Sequence, residues 1–390
     1  MNIDVIRQDT PGCYDKIFIN SAGSSLMPNV VVEKMTEYLH EEEQLGGYEV
    51  ARLREKEINK FYSEIAKLIN CNPENIAFAY NATDAYAKAL SSIPFKKGDC
   101  ILTTNDDYIS NQIAFLSLKK RFDIAIIRAN NLANGDIDIE DFERIIKKHN
   151  PVLVAITHIP TNSGLVQQAE EIGKICARYD TWYLLDACQS VGQLIVDVEK
   201  IGCDFLSATG RKFLRGPRGT GFLYVSDKVL SKGLEPLFID MRGADFINFD
   251  EYKIQKNAKR FELWEMSYAS LVGLTEAVRY ANNIGLGKIF EYNKKLVKRL
   301  REKLSQIPGL RLLDRGSELS NILTLKIDRR ELIEIENALK DAKIFYSVST
   351  KYNSITDFSS DKIERVVRLS PHYFNTDSEI DVVTRVIGSI

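Results

Sequence analysis

From about Pro73 to Val225, short apolar runs alternate with stretches of helical periodicity. NIAFAY precedes a helix expected from Thr83, DCILTTN one from Ser110, and DIAIIRA the acidic-to-basic helix DIEDFERIIKKH. PVLVAITHI leads into EEIGKICARY, and WYLLDAC, FLSAT and TGFLYV supply three further strands. This alternation predicts an α/β protein with a mostly parallel sheet covered by helices on both faces. After Glu262 the texture changes to a long helical region, SLVGLTEAVRYANNIG into KIFEYNKKLVKRLREKLSQI, which Pro308 and Gly309 end. Beyond it the strands LRLLD and NILTLKI, the helix RELIEIENALKDA, the strands IFYSVS and VVRLSP and a last helix from Asp377 suit a compact α+β unit.

The expected division is a large domain over 15–260, a connecting helical region over 261–290 and a small domain over 291–390, with residues 1–14 packed on the small domain. The 390 residues are long enough for two domains, and 44% hydrophobic with 27% charged residues is ordinary globular usage. A net charge of -2 provides no global field for a nucleic-acid backbone or an anionic membrane, so the expected partner is a small molecule. MNIDVIRQDTPGC lacks the unbroken apolar core of a secretory signal, and no apolar run is long enough to span a bilayer, which points to the cytoplasm. The six cysteines have no CxxC pairing and the four histidines are dispersed, so no metal centre is expected.

Three places carry chemistry. In SATGRKFLRGPRGTGFLYV a strand gives way to Lys212 in a glycine-rich turn, beside Arg211 and close in sequence to Arg215 and Arg218. Cationic neighbours favour the neutral amine that imine formation needs, although basic, glycine-rich loops also bind phosphates in unrelated proteins. In WYLLDACQS, Asp186 ends an apolar strand, where it either pairs with a protonated heterocyclic nitrogen or caps a turn. In YNATDAYAKAL, Thr83 stands at a helix start suited to an anion or to an ordinary N-cap. A phosphate cradle, a ring-nitrogen carboxylate and an imine lysine are together the parts that pyridoxal 5'-phosphate requires.

The order AT(D/E), DxxQS, a G(H/R)K turn and GPxGxGxLYV resembles fold-type I pyridoxal-phosphate enzymes of the class V aminotransferase and cysteine desulfurase group, from FINSAGSSLMP to RLSPHYFNT. The resemblance implies an aspartate-aminotransferase-like large domain and a homodimer with a shared active site. It implies that Ala82, Thr83, Thr209 and Arg211 contact the phosphate, that Gln189 bonds the phenolic oxygen, and that Asp186 and Lys212 take the roles named above. Tyr108 falls where the desulfurases stack a His on the ring. Arg368 matches the arginine that grips the substrate carboxylate, and Asn162, or Thr161 under a one-residue shift, lies near the cofactor oxygen or that carboxylate. Cross-subunit contacts are expected from Arg260 to Ser270, where Trp264 and Glu265 either read a substrate side chain or belong to the core.

Desulfurases need a cysteine nucleophile in the loop before the substrate arginine, and here that loop, FYSVSTKYNSITDFSSD, has none. EEEQLGGYEVARL, HIPTNSGLV, RFELWE and RLSPHYFNT look most like the ergothioneine-pathway C–S lyases that cleave hercynylcysteine sulfoxide. The implied reaction is β-elimination from an S-substituted cysteine or its sulfoxide, giving a sulfur product, pyruvate and ammonia. A class V aminotransferase, an isopenicillin N epimerase-like enzyme and an inactive pyridoxal-binding protein are the alternatives.

Overall fold

A computed structural model describes residues 1–328, 330–350 and 364–390. The central sheet has seven strands: β1 (Ile76–Ala79), β2 (Cys100–Thr103), β3 (Ala125–Arg128), β4 (Leu153–Thr157), β5 (Trp182–Asp186), β6 (Phe205–Thr209) and β7 (Gly221–Val225). Their spatial order is β1-β7-β6-β5-β4-β2-β3. Strands β2 to β6 pair in parallel, whereas β7 runs antiparallel to both of its neighbours, so the sheet is mostly parallel as the alternation predicts. Side chains alternate across it: Val154, Ile156, Leu185 and Leu206 join one apolar core, while Leu153, Ala155, Leu184 and Phe205 join another. Register pairs Thr157 with Asp186 and Asp186 with Ser207, which lines up the carboxyl ends of β4, β5 and β6.

Two longer helices precede the alternating region, Asn29–Leu45 and Glu55–Ile69. The second buries Ile58, Phe61, Tyr62, Ile65 and Ile69 as one stripe at helical spacing. Both pack against the helix Tyr268–Ile284. The long helical region is in fact two helices, Tyr268–Ile284 and Leu286–Leu304, because Gly285 between them has φ +93° and breaks the backbone path.

A second, antiparallel sheet holds Leu310–Leu312, Leu323–Ile327, Arg365–Leu369 and Ser347–Thr350, in that spatial order. The stretch IFYSVS divides: Ile344–Phe345 leaves this sheet to pair in parallel with Ile17–Phe18, while Ser347–Thr350 stays. The amino-terminal helix Ile3–Gln8 is tied to the carboxyl-terminal region by Arg7, whose Nη1 donates to the Phe374 carbonyl and to Glu379 Oε1, each at 2.8 Å. No helix among the described residues is long and apolar enough to cross a membrane. All six cysteines are free thiols, and no metal-binding group of His, Cys, Asp and Glu forms among the described residues.

Candidate active site

The carboxyl ends of parallel strands are where α/β sheets open a crevice, because the chain leaves each strand there for a loop. A cavity of about 480 Å³ lies at this edge, and its wall includes Ala82, Thr83, Tyr108, Asp186, Gln189, Thr209, Arg211 and Lys212. Eight residues expected at a cofactor site from four separate stretches of sequence thus meet on one surface.

Asp186 ends β5 and is buried. Its Oδ1 accepts from the Cys188 amide at 3.0 Å and its Oδ2 from Asn111 Nδ2 at 3.0 Å. Asn111 belongs to the helix Ile109–Phe122, which Tyr108 precedes as its N-cap residue. The Asn111 amide also reaches Asp107 Oδ1 at 3.0 Å, and Thr157 at the end of β4 donates its hydroxyl to the same oxygen.

Lys212 follows β6, and burial lowers the pKa of its amine. Asp186 opposes that shift, while Arg211 and Arg368 add to it. The expectation that Arg215 helps is corrected by its position. Arg215 has φ +60° and is fully buried, with its guanidinium 4.9 Å from both the Tyr373 and Phe374 ring centroids. It donates from Nε to the Leu26 carbonyl at 2.8 Å and from Nη2 to Thr10 Oγ1 at 2.5 Å, so it anchors the turn to the amino-terminal segment. Arg218 is exposed on the cavity wall.

The lysine turn is held from two more sides. His372 Nε2 is 2.8 Å from the Phe213 carbonyl, and its Nδ1 is 3.1 Å from Asn293 Nδ2. The imidazole therefore donates to the turn through Nε2 and accepts through Nδ1, the tautomer its partners require. Gly192 has φ +94°, and a Cβ there would come within 2.5 Å of the Phe213 backbone, so only glycine admits this approach.

The helix Ala82–Ser92 begins at the cavity. Its N-cap, Asn81, accepts from the Asp84 amide at 3.0 Å, and the Ala85 amide bonds the Asn81 carbonyl. The two remaining donors of the first turn are the amides of Ala82 and Thr83. Asn81 is thus the N-cap, and Thr83 is left on the cavity wall. Arg211 donates to the Gly23 carbonyl, and Thr209 Oγ1 to the Thr220 carbonyl at 3.3 Å.

Thr161 lies on the wall, whereas Asn162 is buried outside it. Arg368 is likewise buried off the wall and reaches it through Thr161, donating from Nη1 to the Thr161 carbonyl at 3.2 Å. Burial and the Arg211 charge push the Arg368 guanidinium down to about 10, which leaves it cationic at neutral pH. Trp264 is half exposed, and the Tyr80 hydroxyl on the wall donates to the Glu265 carbonyl. Most of the loop expected to lack a nucleophilic cysteine, residues 351–361, lies outside the described residues. Cys188 does line the cavity, but burial, with Asp186 beside it, drives its thiol pKa up and keeps it protonated.

The donor set fits pyridoxal phosphate. The wall carries a carboxylate, an amine of lowered pKa and a helix amino terminus beside an arginine. The buried Gln189 Oε1 has no hydrogen-bond partner among the described residues, as expected of a group that awaits one. Sequence reasoning misses Asp107, Asn111 and Thr157, which surround Asp186 from two other elements. Nothing in NDDYISNQ separates Asp107 and Asn111 from solvated polar residues, and Thr157 reads only as the end of the strand in PVLVAITHI.

Known proteins resemble this chain over nearly its whole length. The family model described as aminotransferase class-V matches residues 17–383. A probable cysteine desulfurase of Methanothermobacter thermautotrophicus is 28% identical over 397 residues, covering 100% of this chain and 98% of that protein. The apo structure of a cysteine desulfurase from Thermococcus onnurineus NA1 superposes with a TM-score of 0.91 at 26% identity, covering 100% of this chain and 98% of that one. The cystine C–S lyase C-DES, in complex with cysteine persulfide, shares the fold with a TM-score of 0.85 at 22% identity, over 97% of this chain and 98% of that one. The chain therefore belongs to the class V aminotransferase family, whose cofactor is pyridoxal phosphate.

Proposed function

We propose that the protein is a carbon–sulfur β-lyase that acts on an S-substituted cysteine or its sulfoxide. The observation that carries this reading is the pairing of Lys212 and Asp186 on one cavity wall where Cys188, the one thiol lining it among the described residues, is held protonated. The desulfurase names of the relatives support cleavage at the carbon–sulfur bond of a cysteine. The missing loop cysteine argues against transfer of that sulfur to the enzyme. Hercynylcysteine sulfoxide, in ergothioneine biosynthesis, is the specific substrate proposed from the sequence resemblance.

Thr83, Ala82, Thr209 and Arg211 would hold the cofactor phosphate, Gln189 its phenolic oxygen, Tyr108 its ring face and Asp186 its ring nitrogen. Bound there, pyridoxal phosphate supplies an electron sink for charge that develops at the substrate α-carbon. The Lys212 amine, its pKa lowered by burial, takes the α-proton at Nζ. Arg368 grips the α-carboxylate, and the Asp186 carboxylate favours a proton on the ring nitrogen. The Cβ–S bond breaks with its electron pair leaving on sulfur. One water is consumed overall, and a cysteine sulfoxide yields a sulfenic acid, pyruvate and ammonia.

We place the enzyme in the cytoplasm as a homodimer with a shared active site. Support for the dimer comes from Leu237, Phe238, Met241, Phe246 and Phe249, which leave an apolar surface exposed around the hairpin Ala244–Ile254. Product analysis on cysteine, an S-alkylcysteine, its sulfoxide and hercynylcysteine sulfoxide, each with and without 2-oxoglutarate, tests the reaction. Pyruvate and ammonia released without the acceptor are expected. Amino transfer that depends on the acceptor, with no pyruvate from any sulfur substrate, would overturn the lyase reading.

A further inference from the structure

Behind Asp186 lies a second buried carboxylate, Asp107, that the proposed chemistry does not use. Its Oδ1 accepts from the Tyr108 amide at 2.7 Å, from Asn111 Nδ2 at 3.0 Å and from the Thr157 hydroxyl. Its Oδ2 accepts from Gln112 Nε2 at 2.6 Å and from Thr103 Oγ1 at 3.3 Å. All five contacts donate to it, the arrangement an ionised carboxylate needs. Asn111 Nδ2 has two hydrogens and lies 3.0 Å from both Asp107 Oδ1 and Asp186 Oδ2, so one amide joins the two carboxylates.

We infer that Asp107 is a positioning residue that fixes Asn111, and through it Asp186, and that adds a second negative charge behind the ring-nitrogen end of the cavity. This inference rests on the pyridoxal-phosphate reading. The same carboxylate holds the Tyr108 amide, and so sets the start of the helix on which Asn111 stands. The other ionisable groups that face this cluster are Lys212 and Cys188 beside Asp186, the buried Tyr86 phenol, raised by burial and then by Asp107 and Asp186, and Arg128, which donates to Gln112. Burial raises the Asp107 pKa, against the hydrogen bonds from Thr157, Asn111 and Gln112. A proton on Asp107 would cost it acceptor capacity that those donors use.

The test is a pH titration of the visible absorbance of protein reconstituted with pyridoxal phosphate. Asp107→Asn keeps the side-chain volume and removes the charge, so the midpoint should fall by about half a pH unit or more. In an Asn111→Leu background the hydrogen-bond link is already cut and only the through-space charge remains, so the same substitution should shift the midpoint by less than it does in the wild type. Asp107→Ser serves in its place if Asp107→Asn does not fold. An unchanged midpoint, or an undiminished shift in the Asn111→Leu background, would overturn the inference. A wild-type protein with no visible band would instead overturn the cofactor reading on which it rests.

Discussion

Two cavities of similar size flank the carboxyl end of β4, and they differ in chemistry. The one beside Thr157, of about 480 Å³, carries Asp186, Lys212 and Arg211. The other, of about 380 Å³, is bordered by the next residue, His158, and lined by apolar side chains such as Val166, Leu194 and Phe290 together with the exposed Glu170, Glu171, Lys294 and Glu318. Burial pushes the His158 imidazole down to about 4, so it adds no charge at neutral pH. Volume does not distinguish the two. The difference is where the charge sits: the end of β5 and the lysine turn hold Asp186 and Lys212 out of full contact with water on the first wall, whereas the charged residues of the second are exposed, and charge removed from water polarises a ligand more strongly.

The strongest way to break this contrast is Lys212→Ala. Activity should fall by about a thousandfold or more, as for loss of a nucleophile and general base together, and borohydride should no longer fix the cofactor to the chain. Peptide mapping that finds another lysine modified would move the site. Asp186→Ala should leave some cofactor bound and lower turnover about a hundredfold, read by steady-state kinetics beside a cofactor titration. Near-normal turnover would remove Asp186 from the chemistry.

Arg368→Ala should weaken substrate binding by about 1.5 to 3 kcal/mol with a smaller change in turnover, since a charge-assisted carboxylate contact is lost. An unchanged apparent affinity would place the carboxylate elsewhere.

The smallest effect on activity belongs to the second cavity. His158→Gln should keep turnover within about twofold, yet alter acid stability. The folded pKa of His158 is depressed to about 4, below the ordinary value of 6.5, so the unfolded chain takes up the proton first. The stabilisation is full above pH 6.5 and is lost as pH falls towards 4. His372, pushed down to about 3 by burial and the Arg215 charge, acts in the same direction. Thermal melts from about pH 7 to about pH 4 should show a shallower loss of stability in His158→Gln than in the wild type. An unchanged slope would show that His158 is not neutral and buried in solution.

Much of this is legible in the chain. The strands of the central sheet are apolar runs bounded by polar residues, and Lys212 and Asp186 stand out because each lies at or just past the end of such a run. The hairpin Ala244–Ile254 and the helices Asn29–Leu45 and Glu55–Ile69 do not emerge from the alternation. The hairpin leaves most of its side chains exposed, so burial imposes no periodicity on it. Asp107 and Asn111 escape notice because hydrogen bonds, unlike apolar packing, impose no period on a sequence.

By itself the sequence determined the alternating elements, the lysine turn and the carboxylate at a strand end, since burial and turn geometry act over a few neighbouring residues. Only the tertiary structure decided which of three neighbouring arginines serves the cavity. Arg211 faces it, Arg218 lies exposed at its wall, and Arg215 turns away to lie against Tyr373 and Phe374. Tertiary structure also brought Asp107, Asn111 and Thr157 around Asp186. A side chain's direction in a tight turn, and its partners from other strands, depend on the whole packed chain rather than on its neighbours in sequence.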